Sequence, residues 1–445
     1  MDSVLLFILG VVIILIGLAL SIALHEIGHL VPAKLFGVKV TQYMIGFGKT
    51  LFSFRRGETQ YGVKAIPLGG YISMIGMFPP GKDGRAGRNS TTGFMQAMVQ
   101  DARTASAETV AVGEEDRTFY RLPVWKRIVI MFGGPFMNLV IGIVLFGVLL
   151  MGFGTPQSST TIGSVSQCVL PATSATTTKT CTSADPAGPA AAAGLKPGDT
   201  LVSIDGTKIT SWAQSTAIIR ESAGRTLSVV VERDGVERTV ALTPKTNQVA
   251  KTDAAGKIVT NPDGSTAVLT VGFVGIGAMP ELVPQPITAV LPAVGEQTGA
   301  VVNVFLHLPQ RMVDVWNAAF GSGERDPNGP VSVVGIGRAA GELTALDGVP
   351  LIDKIYTMLG MLASLNIALF VFNLVPLLPL DGGHIAGALW EGFRRTMAKL
   401  FKRRDPGPVD MAKLMPLTFA VVIVLGGMSV LLMYADIVKP INLFG

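Results

Sequence analysis

His25-Glu26-Ile27-Gly28-His29 sets two imidazoles four residues apart with a carboxylate beside the first. On a helix the two histidines share one face and can hold a single metal ion, while Glu26 lies next to them to bind and deprotonate a water. That is the chemistry of a zinc hydrolase. The setting is unusual, because no charged residue occurs from Ser3 to Leu24, a run long enough to cross the hydrocarbon core of a bilayer. Ionisable groups are costly in such a segment and normally mark a functional site. Three of them within five residues therefore point to a metal centre and not to a chance match on a helix.

Catalytic zinc usually has three protein ligands and one open position, and this motif supplies two. A second informative stretch runs Asn373-Leu374-Val375-Pro376-Leu377-Leu378-Pro379-Leu380-Asp381-Gly382-Gly383-His384. Asp381 is the candidate third ligand. His25 stands nine residues before Lys34 and Asp381 ten before Glu391, so at helical rise each lies roughly 14 Å inside the same boundary. His384 is the alternative ligand, although a place beside the ligands, orienting them, is preferred. Asn373, Pro376 and Pro379 interrupt the helix and free backbone groups that could hydrogen-bond an extended substrate. Asn138 is a lone amide among apolar residues, read either as a helix-to-helix hydrogen bond or as support for the centre.

The elements that must carry these residues follow from composition. Hydrophobic residues make up 49% of the 445 and charged residues 15%, with mean hydropathy +0.49. These values describe a polytopic α-helical membrane protein with soluble parts. A net charge of +5 is small for this length and gives no sign of nucleic-acid binding. Four apolar stretches with few or no charges are expected to cross: a first helix within 1–33, a second at 128–153, a third within 355–384 and a fourth at 414–436. Asp2 stands where a secretory leader has basic residues, so the first is expected to be a retained span.

Orientation follows from Lys34 and Lys39 after the first span and Arg117, Arg121, Lys126 and Arg127 before the second. Arg394, Arg395, Lys399, Lys402, Arg403 and Arg404 repeat the signal in a basic loop at 385–413. Residues 34–127 and that loop are then cytoplasmic, both termini external, and 154–354 external.

Between the spans, 34–78 alternates β-formers with glycines and reads as a small antiparallel sheet beside the first helix, its apolar tips entering the membrane. Residues 79–127 read as a linker with a short helix at Gly93 to Arg103. At 189–212 the order Ala193-Gly194-Leu195-Lys196, Gly198-Asp199 and Ile204-Asp205-Gly206 resembles the core of a PDZ domain, bounded at 158–245. Such folds take up extended chain ends by adding a strand, so a peptide or the external part of a substrate is the expected ligand, a plain spacer the alternative. Cys168 and Cys181 lie in its Ser/Thr-rich insert, as either a disulfide or two free thiols. A β-rich extension with a turn at Pro262-Asp263-Gly264 fills 246–290. An amphipathic, membrane-proximal segment occupies 291–354, in which His307 has a structural or surface role.

HEIGH in the first span, the glycine-rich β region, GGPFMN at 133–138, one PDZ-like module, GPVSVVGIG at 329–337 and NLVPLLPLDGGH occur in the order found in site-2 proteases of the bacterial RseP type. The resemblance covers nearly the whole chain, fitting least at 79–115 and in the cysteine insert. It implies an intramembrane zinc metalloprotease of the bacterial cell membrane that cleaves transmembrane segments, commonly those of anti-sigma factors after a first external cut. It also implies that His25, His29 and Asp381 hold Zn2+, that Glu26 is the general base, that Asn373 and Pro376 hold unwound substrate, and that Asn138 supports the site. The single PDZ-like module and long linker resemble the actinobacterial branch. Other classes compatible with intramembrane His and Asp are a catalytically silent PDZ-bearing scaffold and a metal transporter. The chain shows no internal repeat of the kind transporters use.

Overall fold

The computed structural model describes residues 3–80, 94–168, 181, 186–251, 259, 267–321, 323, 325–326 and 329–441. They form two compact units, one from Met1–Gly152 with Pro286–Gly445 and one from Phe153–Gln285. Residues 81–93, part of the expected linker, and the expected turn at Pro262-Asp263-Gly264 lie outside the described residues.

The first unit opens with α1 (Ser3–Leu35), apolar on every side, as a helix surrounded by lipid and protein must be. Strands β1 (Val40–Arg56) and β2 (Thr59–Met74) follow, joined at Gly57 and Glu58. Both strands are bent, so that 42–45 face 70–73 on one side and 60–63 on the other. The inner arm buries Val40, Tyr43 and Met74 against Leu30 and Ala33 of α1, and the Tyr43 hydroxyl donates to the Ala23 carbonyl at 2.8 Å. The outer arm leaves Phe47, Leu51, Phe52 and Phe54 exposed. Next come α2 (Phe94–Glu108), longer than the expected short helix, and α3 (Val124–Gly147), which continues as a wider π-type turn to Phe153.

The second unit contains β3 (Thr155–Val165), α4 (Pro189–Ala192), β4 (Thr200–Ile204), β5 (Thr207–Lys208), α5 (Trp212–Glu221), β6 (Leu227–Arg233), β7 (Val236–Leu242), β8 (Lys245–Ala250), β9 (Val268–Phe273) and β10 (Ile276–Val283). The sheet runs β10-β3-β4-β6-β7, with β5 on β4 and β8-β9 as a separate pair. Leu227, Val229 and Val231 point inward at the strand period of two and pack on Leu201 and Ile204. The module does not end at 245. Strand β10 pairs with β3 from Ile276↔Val165 to Val283↔Thr155, so the last part of the expected 246–290 extension adds an edge strand to the same sheet. Cys168 and Cys181 form a disulfide.

The first unit resumes with α6 (Val290–Leu306), α7 (Leu308–Phe320), α8 (Val333–Ala345), α9 (Leu351–Asn373), α10 (Asp381–Leu400) and α11 (Met415–Val438). Helix α1 packs on α3 and α8, and α3 on α9 and α10. His307 sits between α6 and α7, its Nδ1 2.9 Å from the Asn303 carbonyl, a structural place. Among the described residues five helices, not the expected four, are long and apolar enough to cross a membrane. The added one, Ile287–Leu306, has a hydropathy of 1.3 against 1.9 to 3.1 for the others.

The helix of the third span is interrupted where expected: it stops at Asn373, because Pro376 and Pro379 lack the N–H groups a continuing helix requires, and Asp381 opens a separate helix, so 374–384 is not part of the spanning helix. One expectation needs correction beside it. The stretch expected as a basic loop at 385–413 is largely α10. Leu389, Trp390, Phe393, Leu400 and Phe401 recur there at helical spacing among the charges.

Candidate metal centre

Helix α1 brings His25 and His29 to one face, one turn apart, with their Nε2 atoms 3.2 Å from each other. Asp381, in the first turn of α10, places Oδ2 3.4 Å from His25 Nε2 and 3.3 Å from His29 Nε2. Three donor atoms at these separations match the edges of a tetrahedron, which are about 3.3 Å for zinc bonded to nitrogen and oxygen. Among the described residues these three form the one group of metal-ligating side chains close enough to share an ion.

The rest of each ring is engaged. His29 Nδ1 donates to the Ile130 carbonyl of α3 at 2.7 Å, which turns the Nε2 lone pair toward the other donors. The Asn138 amide lies 3.0 Å from His25 Nδ1. The atom at that distance is Nδ2; with Nε2 directed at a metal, Nδ1 carries the proton, and a half-turn of the amide brings Asn138 Oδ1, buried and otherwise without a partner among the described residues, into place as the acceptor. Charge argues the same way. Glu26 is buried, and neither it nor Asp381 has a lysine or arginine partner among the described residues. Two carboxylates in a low-dielectric site call for a compensating cation, and a divalent ion supplies it. The residues therefore fit zinc.

Space for an ion depends on α3. A β-carbon at Gly134 would overlap His29 Nε2 and stand 2.7 Å from His25 Nε2, so only glycine leaves the donors open at this point. Next to it, Gly133 meets Gly28 of α1 so closely that a β-carbon on either would overlap the other's carbonyl oxygen. This contact fixes the spacing of the two helices at the level of the histidines. Glu26 is held by β2, whose Ile72 N–H donates to its carboxylate.

Asn373 ends α9, and Pro376 lies exposed in the turn that follows. That turn wraps the start of α10. β-Carbons on Gly382 and Gly383 would collide with the backbone of Leu374 and Val375 and of Leu377 and Leu378. Asn373 and Pro376 are thus on the segment that seats Asp381, and the Asn373 side chain makes no hydrogen bond among the described residues. His384, one turn beyond Asp381, packs edge-on to Phe119 with ring centroids 6.5 Å apart and is not in the ligand group.

Sequence reasoning missed the parts played by Gly134, Ile130 and Ile72, which act through backbone or through the lack of a side chain. It also missed the fully buried Glu391, which pairs with Arg127 of α3 and accepts the Val409 N–H at 2.9 Å. A carboxylate and an arginine at matching span ends were the available signal.

A model described as peptidase family M50 matches residues 13–404. The chain is 34% identical over 447 residues to the zinc metalloprotease Rip1 of Mycobacterium tuberculosis, covering 98% of this chain and 99% of that protein. Rip1 of Mycolicibacterium smegmatis is 35% identical at the same coverages. The metalloprotease MmpA of Caulobacter vibrioides is 29% identical over 86% of this chain and 87% of its own.

Proposed function

The chain belongs to peptidase family M50, the site-2 proteases, and from that membership we propose that it cuts peptide bonds inside the membrane-spanning segments of other proteins. It is a zinc metalloendopeptidase. The observation that carries the intramembrane reading is the convergence of His25, His29 and Asp381 at the junction of apolar helices, with Glu26 buried beside them.

His25 Nε2, His29 Nε2 and Asp381 Oδ2 would hold the zinc. When bound, zinc lowers the pKa of a water and polarises the scissile carbonyl. Glu26 takes the proton of the attacking water and delivers it to the leaving amine, so that the peptide bond breaks as the new carbon–oxygen bond forms. Asn138 and the Ile130 carbonyl fix the two imidazoles. A substrate helix hides its carbonyls in its own hydrogen bonds and must unwind. Asn373, with its uncommitted amide, and the turn around Pro376 provide replacement partners. The bilayer is the medium in which these steps occur.

We read four of the apolar helices as spans, leaving the least apolar, α6, at the membrane face. Both termini are then external, and the metal centre lies toward the cytoplasmic side of the bacterial inner membrane. The second unit is an external PDZ module. Its strand β10 is paired on one side only and lies at the sheet edge, open to an added strand from a peptide or substrate ectodomain. Single-span proteins such as anti-sigma factors, trimmed beforehand, are the substrate class.

The test is cleavage of a single-span peptide by the purified full chain in detergent, with and without a zinc chelator, beside Glu26→Gln. Chelator-sensitive cutting that disappears in the variant supports the reading. Cutting retained by Glu26→Gln sinks it, and one bound zinc without any cutting, even after removal of the second unit, 153–285, favours a silent scaffold.

A further inference from the structure

Among the described residues most arginines are committed to carboxylates: Arg103 to Asp410, Arg117 to Glu58, Arg127 to Glu391, Arg233 to Asp199 and Arg325 to Asp436 are examples. The end of α10 is different. Arg394, Lys399, Lys402, Arg403 and Arg404 fall within eleven residues, and among the described residues none has a carboxylate partner. Arg395 alone in this stretch is paired, to Glu391 and Asp405. The same helix turns Ala388 and Glu391 inward and leaves Leu389 56%, Trp390 56%, Phe393 53%, Leu400 69% and Phe401 66% exposed. Trp390 and Phe393 stack, with ring centroids 5.5 Å apart. A uniformly solvated helix would not carry five large apolar side chains on its outer face, and a helix buried in lipid would not end in five unpaired cations.

We infer that the C-terminal half of α10 and the turn after it form a docking surface for the headgroups of anionic phospholipids. The apolar face lies against acyl chains, Trp390 stands at the level where indoles collect in bilayers, and the cations meet phosphates just beyond. Charge complementarity selects this occupant. The carboxylates closest in the chain, Glu391 and Asp405, are taken by Arg395, which leaves the five cations unpaired among the described residues, and the adjoining apolar face requires a ligand that is anionic at one end and hydrocarbon at the other. The surface has a place in the function as well, because Asp381 begins the helix that Leu400 ends. Lipids that hold the end of α10 therefore bear on the seat of the third ligand. This inference rests on reading α9 and α10 as membrane-embedded, but not on proteolysis.

The test uses the full chain in detergent with mixed phosphatidylglycerol and phosphatidylcholine, counting retained lipids by native mass spectrometry. Wild type is expected to retain phosphatidylglycerol in preference to phosphatidylcholine, decreasingly as salt rises. The variant K399Q/K402Q/R403Q/R404Q should lose at least about tenfold of that preference, since each base near an anionic surface is worth several-fold in partitioning. A charge-keeping variant, R403K/R404K, should retain it. Zinc content and thermal midpoint of each variant report folding separately, and the measurement stands whether or not the chain cuts peptides. Equal retention of both lipids by wild type overturns the inference, as does an unchanged preference in the folded quadruple variant. Displacement of phosphatidylglycerol by millimolar inorganic phosphate would also overturn it, by revealing a site for the free anion.

Discussion

At the residue scale the centre is a set of donors that α3 keeps clear. Gly134→Ala should abolish stoichiometric zinc, read by metal analysis of the purified protein, because the added methyl overlaps His29 Nε2. Asn138→Ala leaves the His25 Nδ1 proton without an acceptor, and zinc Kd should rise roughly 10- to 100-fold, as is usual when the partner of a ligating imidazole is lost. Glu26→Gln should bind zinc as wild type does while the cleavage rate falls by roughly 10²- to 10⁴-fold, the usual worth of a positioned general base. The two histidines and Glu26 were legible in the sequence because they lie within one turn and a half of helix. Asp381 could be reached only by matching depths across two spans. Gly134 could not be reached at all, since its role depends on where α3 crosses α1, which no local pattern encodes.

At the scale of elements, α10 was hidden by its charges. Six basic residues in the stretch gave a strong signal of sidedness, and the apolar spacing of Leu389, Trp390 and Phe393 beneath it went unread. The β10–β3 pairing was out of reach for another reason: the partners are more than a hundred residues apart, and only the assembled sheet shows that β10 belongs to its edge. Within that sheet Asp199 is fully buried, with Arg233 Nε 2.6 Å from its Oδ1 and the Lys196 N–H on Oδ2. The arginine's hydrogen bonds hold the Asp199 carboxyl below the usual carboxylate range. A depressed folded-state pKa contributes stability above the unfolded value near 4 and loses it as pH falls through the folded one. The stability of the second unit, followed by denaturant unfolding, should therefore drop as pH falls below about 5, and Asp199→Asn should flatten that slope. The substitution should also cost roughly 3 kcal/mol at neutral pH, by leaving Arg233 without its buried partner.

On the scale of the whole molecule, two units divide the work. The unit that holds the centre is built from both ends of the chain, and the other occupies the middle. The disulfide closes a loop with a sequence separation of 13 inside the middle unit. Its reduction should lower that unit's stability by at most about 3 kcal/mol and leave zinc binding unchanged. Parallel loss of zinc on reduction would show that the units are not independent.

The position of Asp381 sets a timetable for synthesis. The HEIGH segment leaves the ribosome early, and roughly 350 residues must follow before the third donor is made. At about 5 to 20 residues per second that is roughly 20 to 70 seconds during which the new protein sits in the membrane with two of its three donors. A zinc peptidase is thus kept without its full set of donors while its own later helices are still being made.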